Sequence, residues 1–385
     1  MIETPHTHRT GRYERQSKGY LAFIPGTLPP DPPVKLDTNL ENAHRRAEIA
    51  LHKLDGVIGV LPEPNLFVMM YIRLEAVLSS RIEGTQSTLQ DVLGAEVKLF
   101  RTEYKNDVYE VINYIAAMQF GIEKVKDGPI NTSLIKDIHR VLLKDIRGSR
   151  LDPGEFRSTQ NWIGPEGCSI YEASFVPPPP NQVVQHICAL DRFVNTRGDL
   201  PLLVKVGLTH AQFESIHPFR DGNGRVGRLI VTLMLYQNRV LQHPVLYLSW
   251  YFNIHRLEYY QKLQEVQNTG NWENWLVFFL GAVETVSKQA ISTVKSILAM
   301  RERDRHWINE NFGRSTANAH HVLDRLYVFP SISVNEVREL TSMSYDSSKI
   351  LIERMVQGGL LVEHTGYARN RRFLLYKYVE LFDAD

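Results

Sequence analysis

The tightest constraint on this chain is a glycine-rich bend wedged between two helical apolar patterns. Residues 217 to 228 read His217-Pro-Phe-Arg-Asp-Gly-Asn-Gly-Arg-Val-Gly-Arg228. Before them Val204, Leu208, Ala211, Phe213 and Ile216 recur at roughly helical spacing; after the bend Val226, Leu229, Ile230 and Leu233 do the same. A fold that accommodates this must turn from one helix into the next, with Gly222, Asn223 and Gly224 where the second begins. The first N–H groups of that helix have no partner inside it, and its dipole turns a positive end outward. Such an end binds phosphate. Arg225 and Arg228, three apart, rise near one face of the first turn and offer planar guanidinium forks. Asp221 stands just before the turn, where one carboxylate plus substrate phosphates can hold Mg²⁺. His217 is the only group in the segment that titrates near neutral pH. Together these groups suit the transfer of part of a nucleotide to a hydroxyl.

Two plainer readings compete. Gly222-Asn-Gly224-Arg-Val-Gly227 also fits the dinucleotide fingerprint, which requires a strand before it and an acidic residue about twenty positions later. Here a helical pattern precedes it and no acidic residue occurs before Glu258, so that reading fails. A mere loop between core helices leaves the clustering of one histidine, one aspartate and two arginines unexplained.

The segment resembles the signature of the Fic family, His-x-Phe-x-Asp/Glu-Gly-Asn-Gly-Arg-x-x-Arg, at every specified position. The resemblance implies transfer of AMP from ATP to a Tyr, Thr or Ser hydroxyl of a protein. By it, His217 is the general base, Asp221 the Mg²⁺ ligand, and Asn223 with the Gly222 and Gly224 amides the hole for the α and β phosphates. Arg225 then matches the β-phosphate contact, Arg228 the γ-phosphate contact, and Phe219 a buried aromatic that seats the loop. Removal of AMP, or transfer of another phosphorylated group, is the alternative within the same class.

Upstream, Ser79-Ser-Arg-Ile-Glu83-Gly84 ends a long apolar stretch that reads as a buried helix. Ser79 and Glu83, four apart, share a helix face. This resembles the family's inhibitory motif, which implies that Glu83 pairs with Arg228 where the γ-phosphate belongs. A guanidinium held by a carboxylate cannot also clamp a phosphate. The same carboxylate could instead orient water for removing AMP. Further on, Arg157-Ser-Thr-Gln-Asn161-Trp-Ile-Gly164 and Ala173-Ser174-Phe175-Val176, followed by four prolines, resemble the family's flap. That implies strand addition by the target's backbone; a polyproline ligand or a rigid spacer is the plain alternative.

The rest of the chain reads as mainly α. Helical patterns cover about 38–55, 64–83, 86–96, 105–127, 132–147, 181–195, 201–216, 223–238, 253–267 and 272–302, with a small β-hairpin expected at the flap. The segment before Pro33 reads as an extended surface run, and Arg301-Glu-Arg-Asp-Arg305 as a solvated helix face. We expect a helical region with the inhibitory motif over 1–100, a catalytic core over 101–312 and a small domain over 313–385. In the last, Ser333-Val-Asn-Glu336 is a capping box, a second helix starts near Ser347, and Leu360 to Leu375 suggests a two-stranded wing. This resembles a winged helix-turn-helix domain. Arg369, Arg371 and Arg372 could meet DNA phosphates at the wing tip. However, residues 315–385 hold eight Lys/Arg against nine Asp/Glu, a poor balance for a DNA reader. A protein-contact or structural role is therefore favoured for this domain, and an ATP-sensing DNA-binding regulator in which catalysis is secondary is the alternative to the enzyme from a different class.

Over the 385 residues, 44 Lys+Arg against 43 Asp+Glu leave a formal charge of +1, so no global field draws the chain to nucleic acid or membrane. Cys168 and Cys188 are too few for a disulfide framework, and the amino terminus does not resemble a targeting signal; both favour a cytoplasmic setting. The resemblance allows a homodimer.

Overall fold

The computed structural model describes residues 9–59, 61, 64–96, 106–144, 152–366 and 371–382. Helices dominate it and the strands form only small sheets. Up to the bend the helices are α1 (Thr38–Gly59), α2 (Asn65–Ile82), α3 (Leu89–Glu96), α4 (Asn106–Asp127), α5 (Thr132–Leu142), α6 (Pro180–Asn195) and α7 (Leu202–Ile216). After it come α8 (Asn223–Gln237), α9 (Leu248–Ile254), α10 (Arg256–Thr269) and α11 (Trp272–Asn311). The expected helix over 132–147 stops at Leu142 among the described residues, and 145–147 lie outside them. α9 was not anticipated: seven residues of Leu-Ser-Trp-Tyr-Phe-Asn-Ile are too short to show a period.

α2 and α8 are core helices, apolar around most of their circumference. Every residue from Tyr71 to Ser80 is buried, as are all but one from Asn223 to Leu235. α2 packs on α4 and α9, while α8 packs on α4 and α7. α11, forty residues and so about 60 Å long, forms the spine. α1 lies along it, with Ala43, Ala47 and Ala50 buried three and four apart where small side chains permit close approach.

The amino-terminal segment differs from its reading as a surface run. β1 (Gly11–Arg15) and β2 (Leu21–Pro25) form an antiparallel hairpin with Tyr13 opposite Phe23. Ala22, Phe23 and Ile24 are buried in succession, because β2 is covered on both faces. The period-2 signal of a half-exposed strand is therefore missing from its sequence.

Beyond α11, a 3₁₀ turn at Gly313–Ser315 leads into α12 (Thr316–Val328), at the position of the expected domain boundary. Then follow β3 (Ser331–Ser333), α13 (Val334–Thr341), α14 (Tyr345–Gln357), β4 (Val362–Glu363), β5 (Arg372–Leu374) and α15 (Tyr376–Glu380). The strands order as β3-β5-β4, all antiparallel. The Ser333/Glu336 capping box opens α13. Two readings change here. Arg301 and Arg305 both donate to Asp324 of α12, at 2.9 and 3.2 Å, so that face of α11 is an anchor and not merely solvated. Arg372 is 6% exposed and donates to Ser331 and Glu336, which removes it from any phosphate-contacting tip. Arg369 lies outside the described residues.

Candidate functional site

The site is assembled where α7 hands over to α8. His217 closes α7 in the left-handed conformation (φ 47°, ψ 61°), a geometry that costs a non-glycine residue about 1–3 kcal/mol unless its surroundings impose it. Arg157 imposes it. Its Nε donates to the His217 carbonyl at 2.8 Å, its backbone N–H donates to the Pro218 carbonyl at 2.9 Å, and the residue is 2% exposed. Burial, and then the Arg157 guanidinium, push the His217 imidazole down to about 4, so at neutral pH it is an uncharged base.

The loop that follows is held from inside. Asn223, 2% exposed, accepts from the Phe219 N–H and donates to the Phe219 carbonyl, both at 2.8 Å. Its side chain thus shapes the bend, while its backbone opens the helix. Phe219 is fully buried and stacks on His139, with ring centroids 3.7 Å apart and planes 8° from parallel. The Gly154 N–H donates to His139 Nδ1 at 2.8 Å, so the neutral ring carries its hydrogen on Nε2 and donates it to the Asp221 carbonyl at 3.0 Å. Burial pushes this imidazole down to about 4.

Gly222 caps α8 at φ 76°, open to glycine with little strain. Its N–H donates to its neighbour Asp221 at 2.6 Å, leaving the N–H groups of Asn223, Gly224 and Arg225 as the first turn. The Asp221 side chain is 45% exposed. Among the described residues no group of three or more His, Cys, Asp or Glu side chains could hold a metal. A single half-exposed carboxylate beside the open amino end of a helix fits Mg²⁺ that would be shared with a nucleotide and water.

Both arginines are held by carboxylates from the helical layer behind them. Arg225, 3% exposed, donates to Glu110 on α4 at 2.8 Å and reaches Asp221 only at 3.5 Å. Arg228, also 3% exposed, donates through Nε to Ser79 Oγ at 2.8 Å and through Nη2 to the Ser79 carbonyl at 2.9 Å and Glu83 Oε1 at 2.6 Å. Burial works against the Glu83 charge, but the Arg228 guanidinium outweighs it and holds the carboxyl below its ordinary range. Glu83 Oε1 lies so near Gly224 that a Cβ there would come within 2.3 Å of it. The Glu83 carboxylate therefore lies over the first turn of α8. One turn before Ser79, Glu75 is buried and accepts from Tyr114 at 3.1 Å and from the Ser249 N–H at 3.1 Å.

The flap residues come together differently from a free strand. Phe175 exchanges both backbone bonds with Ile163 (2.8 and 3.1 Å), and the Val176 carbonyl accepts from the Phe23 N–H of β2 at 2.8 Å. The 173–176 segment is thus paired on one side by Ile163 and on the other by the amino-terminal hairpin. Backbone groups alternate in direction along a strand, so those of Trp162 and Gly164 turn away from Phe175 and form the outer edge. Beneath the flap, a cavity of about 350 Å³ runs between Ile163, Phe175, Tyr260, Leu263 and Gln264, with Glu214 on its wall. Burial pushes the Glu214 carboxyl up to about 8.

Glu75, Glu110, the role of His139 and the cavity were missed by sequence reading. Each acts across a long chain separation, and only Arg157, inside the noted flap motif, carried a local signal.

Comparison with known proteins bears on the fold and the family. The family profile described as Fic/DOC family N-terminal matches residues 42–123, and that described as Fic/DOC family matches residues 129–235. A "probable protein adenylyltransferase" of Aquifex aeolicus is 39% identical over 72 residues, covering 19% of this chain and 22% of that protein. The protein adenylyltransferase Fic of Drosophila melanogaster is 25% identical over 199 residues, covering 50% of this chain and 37% of that protein. The chain therefore spans well under half the length of these curated relatives. Among solved structures, a Fic family protein from Desulfovibrio desulfuricans G20 matches with TM-score 0.57 and 19% identity, covering 89% of this chain and 97% of that one. Fic-1 from C. elegans matches with TM-score 0.51 and 19% identity, covering 66% and 74%. These likenesses establish the fold.

Proposed function

Because this chain belongs to the Fic/DOC family, we propose that it transfers AMP from ATP to a Tyr, Thr or Ser hydroxyl of a protein, and that Glu83 holds this activity down. In this reading the uncharged His217 takes the proton of the incoming hydroxyl. The oxygen attacks the α-phosphorus in line, one P–O bond forms, and the bond to the β-phosphate oxygen breaks as pyrophosphate leaves. The N–H groups that open α8 face the charge that develops on the phosphate oxygens, at the positive end of the helix. Mg²⁺, when held with ATP by Asp221, would neutralise phosphate charge. Arg228 would clamp the γ-phosphate once Glu83 lets it go. The cavity beneath the flap has the apolar lining and volume that a nucleobase requires.

The target's backbone would add as a strand along the 162–164 edge, with Ala173, Ser174, Phe175 and Val176 as the inner strand that supports it. The α13–α14 pair with the β4–β5 hairpin supports a winged-helix reading of the last domain. The burial of Arg372 and the slight acidic balance favour a protein-contact or structural role for it over duplex binding.

The observation that carries the proposal is the juxtaposition of a half-buried His217, whose surroundings favour its neutral form, with the open amino end of α8. Incubation with ATP labelled at the α-phosphate tests it. Labelled protein should form and should vanish in His217→Ala. Labelling that survives this change, with the fold intact, would refute the assignment. Loss of AMP from pre-labelled protein that depends on Glu83 would favour the removal reaction instead.

A further inference from the structure

The residues on α2 that hold Arg228 belong to a longer stripe whose other end is gripped by the last domain. Tyr71, Glu75, Ser79 and Glu83 follow one another at four-residue spacing, so they form one slowly winding line along the helix. At the far end, the Tyr71 ring meets Phe382 edge-on, with centroids 5.5 Å apart and planes at 77°. Phe382 in turn packs on Tyr378 of α15 at 5.2 Å, and Tyr378 on Tyr327 of α12 at 5.0 Å. Two residues on from Tyr71, the Arg73 guanidinium lies 5.4 Å from the Phe329 ring centroid, and Arg325 of α12 lies at the same distance from that ring. Arg73 also donates to Glu96 of α3 at 2.8 Å and is 6% exposed, so it has little freedom to follow a moving partner. In the middle, Glu75 joins α2 to Tyr114 of α4 and Ser249 of α9.

We infer that docking of the carboxy-terminal domain, through Phe329 and Phe382, positions α2 so that Glu83 stays on Arg228, and that loosening this docking relieves inhibition. The inference rests on the inhibitory role proposed for Glu83 and names its regulation. A helix with a continuous hydrogen-bonded backbone moves as a body. The eight steps from Tyr71 to Ser79 span about 12 Å, roughly two turns, which is a short and stiff lever. The contact it controls depends on fine placement. Arg228 offers Nη2 to both Ser79 and Glu83, and the Glu83 carboxylate fits against Gly224 with no spare room. A rotation or slide of α2, which the aromatic contacts help to oppose beside the Tyr71–Ala290 hydrogen bond, would separate these groups. Phe329 and Phe382 would act as positioning residues, far from the reacting atoms.

The test is a two-by-two comparison of AMP incorporation from α-labelled ATP, in the full chain with and without Phe329→Ala, each in the wild-type and Glu83→Gly backgrounds. Amide hydrogen exchange over residues 74–84 is read alongside, and Arg325→Ala serves as a milder second variant should Phe329→Ala fold poorly. We expect Phe329→Ala to raise labelling about three- to tenfold in the wild-type background, to add nothing in Glu83→Gly, and to speed exchange at 79–84. Unchanged labelling and exchange in a folded variant would overturn the inference. An equal rise in both backgrounds would overturn it as well, since the effect would then bypass Glu83. If Glu83→Gly alone fails to raise labelling, the inhibitory reading falls. Exchange at 79–84 then decides whether the mechanical link stands without it.

Discussion

Replacing Glu83 separates charge from bulk in the proposed inhibition. In the structure Arg228 is nearly inaccessible and has three hydrogen bonds, of which the one to Glu83 joins two charged groups and measures 2.6 Å. A hydrogen bond to a charged group contributes about 1.5–3 kcal/mol and a neutral one about 0.5–1.5 kcal/mol. The Glu83 side chain is one-third exposed, which screens the pair and places it near the lower end of that range. Glu83→Gln keeps the length and removes the charge, a loss of about 1 kcal/mol, so the population with a free Arg228 should rise about fivefold. Glu83→Gly removes the whole contact, about 1.5 kcal/mol, and should raise it about tenfold. Initial rates of AMP incorporation at ATP below saturation read this population directly. The order Gly above Gln above wild type is required. Equal rates in all three proteins, with nucleotide binding intact, would refute the reasoning, as would Gln above Gly. Because Arg228 holds the Glu83 carboxyl below its ordinary range, inhibition should be fully present at neutral pH and fade only as pH falls through that lowered value.

Three further outcomes test the loop. With the His217 imidazole pushed down to about 4, the acid limb of the pH–rate profile measured in Glu83→Gly should lie well below the ordinary histidine range, since the base is lost only as pH falls through that value. Arg157→Gln removes a charge that favours the neutral ring, so the limb should move to higher pH; a shift downward would contradict the assignment. His139→Leu keeps an apolar partner for Phe219 but strands the Gly154 N–H and the Asp221 carbonyl, each at a cost of about 1–3 kcal/mol. We expect a lower melting temperature together with a higher Mg²⁺ requirement for ATP binding, measured by calorimetry. A stability loss with unchanged Mg²⁺ dependence would remove His139 from the positioning of Asp221.

What the chain discloses from its order alone divides along a physical line. The bend at 222–224, the helices on either side of it and the capping box at Ser333 are local devices, so their residue types and spacings suffice to read them. α2 shows its buried character in an almost unbroken apolar run, and Ser79 and Glu83 show their common face in the four-residue interval. By contrast, β2 is covered on both sides and lacks alternation. The flap's partner lies about 150 residues away in the amino-terminal hairpin, and nothing near Val176 signals Phe23. Glu75 and Glu110 look like ordinary helix glutamates until folding places them beside Tyr114 and Arg225.

The division has a consequence for how the site works. The groups proposed to react, His217, Asp221 and the first turn of α8, sit on one short segment whose geometry is enforced by other side chains: Arg157 on the His217 carbonyl, His139 on the Asp221 carbonyl, Asn223 around Phe219. The groups proposed to restrain the site, Glu83 and Ser79, are imported on a separate helix. A site built this way can be released without being dismantled, because moving α2 frees Arg228 while every bond that shapes the 217–222 loop stays in place. The Glu110–Arg225 pair does not share this property, since α4 packs directly on α8 and Arg225 is fixed by it. Of the two arginines, Arg228 is therefore the one suited to the proposed switch, and substitutions along the Tyr71-to-Glu83 stripe, or at the Phe329 and Phe382 contacts that grip it, should change activity while leaving the loop's own stability untouched.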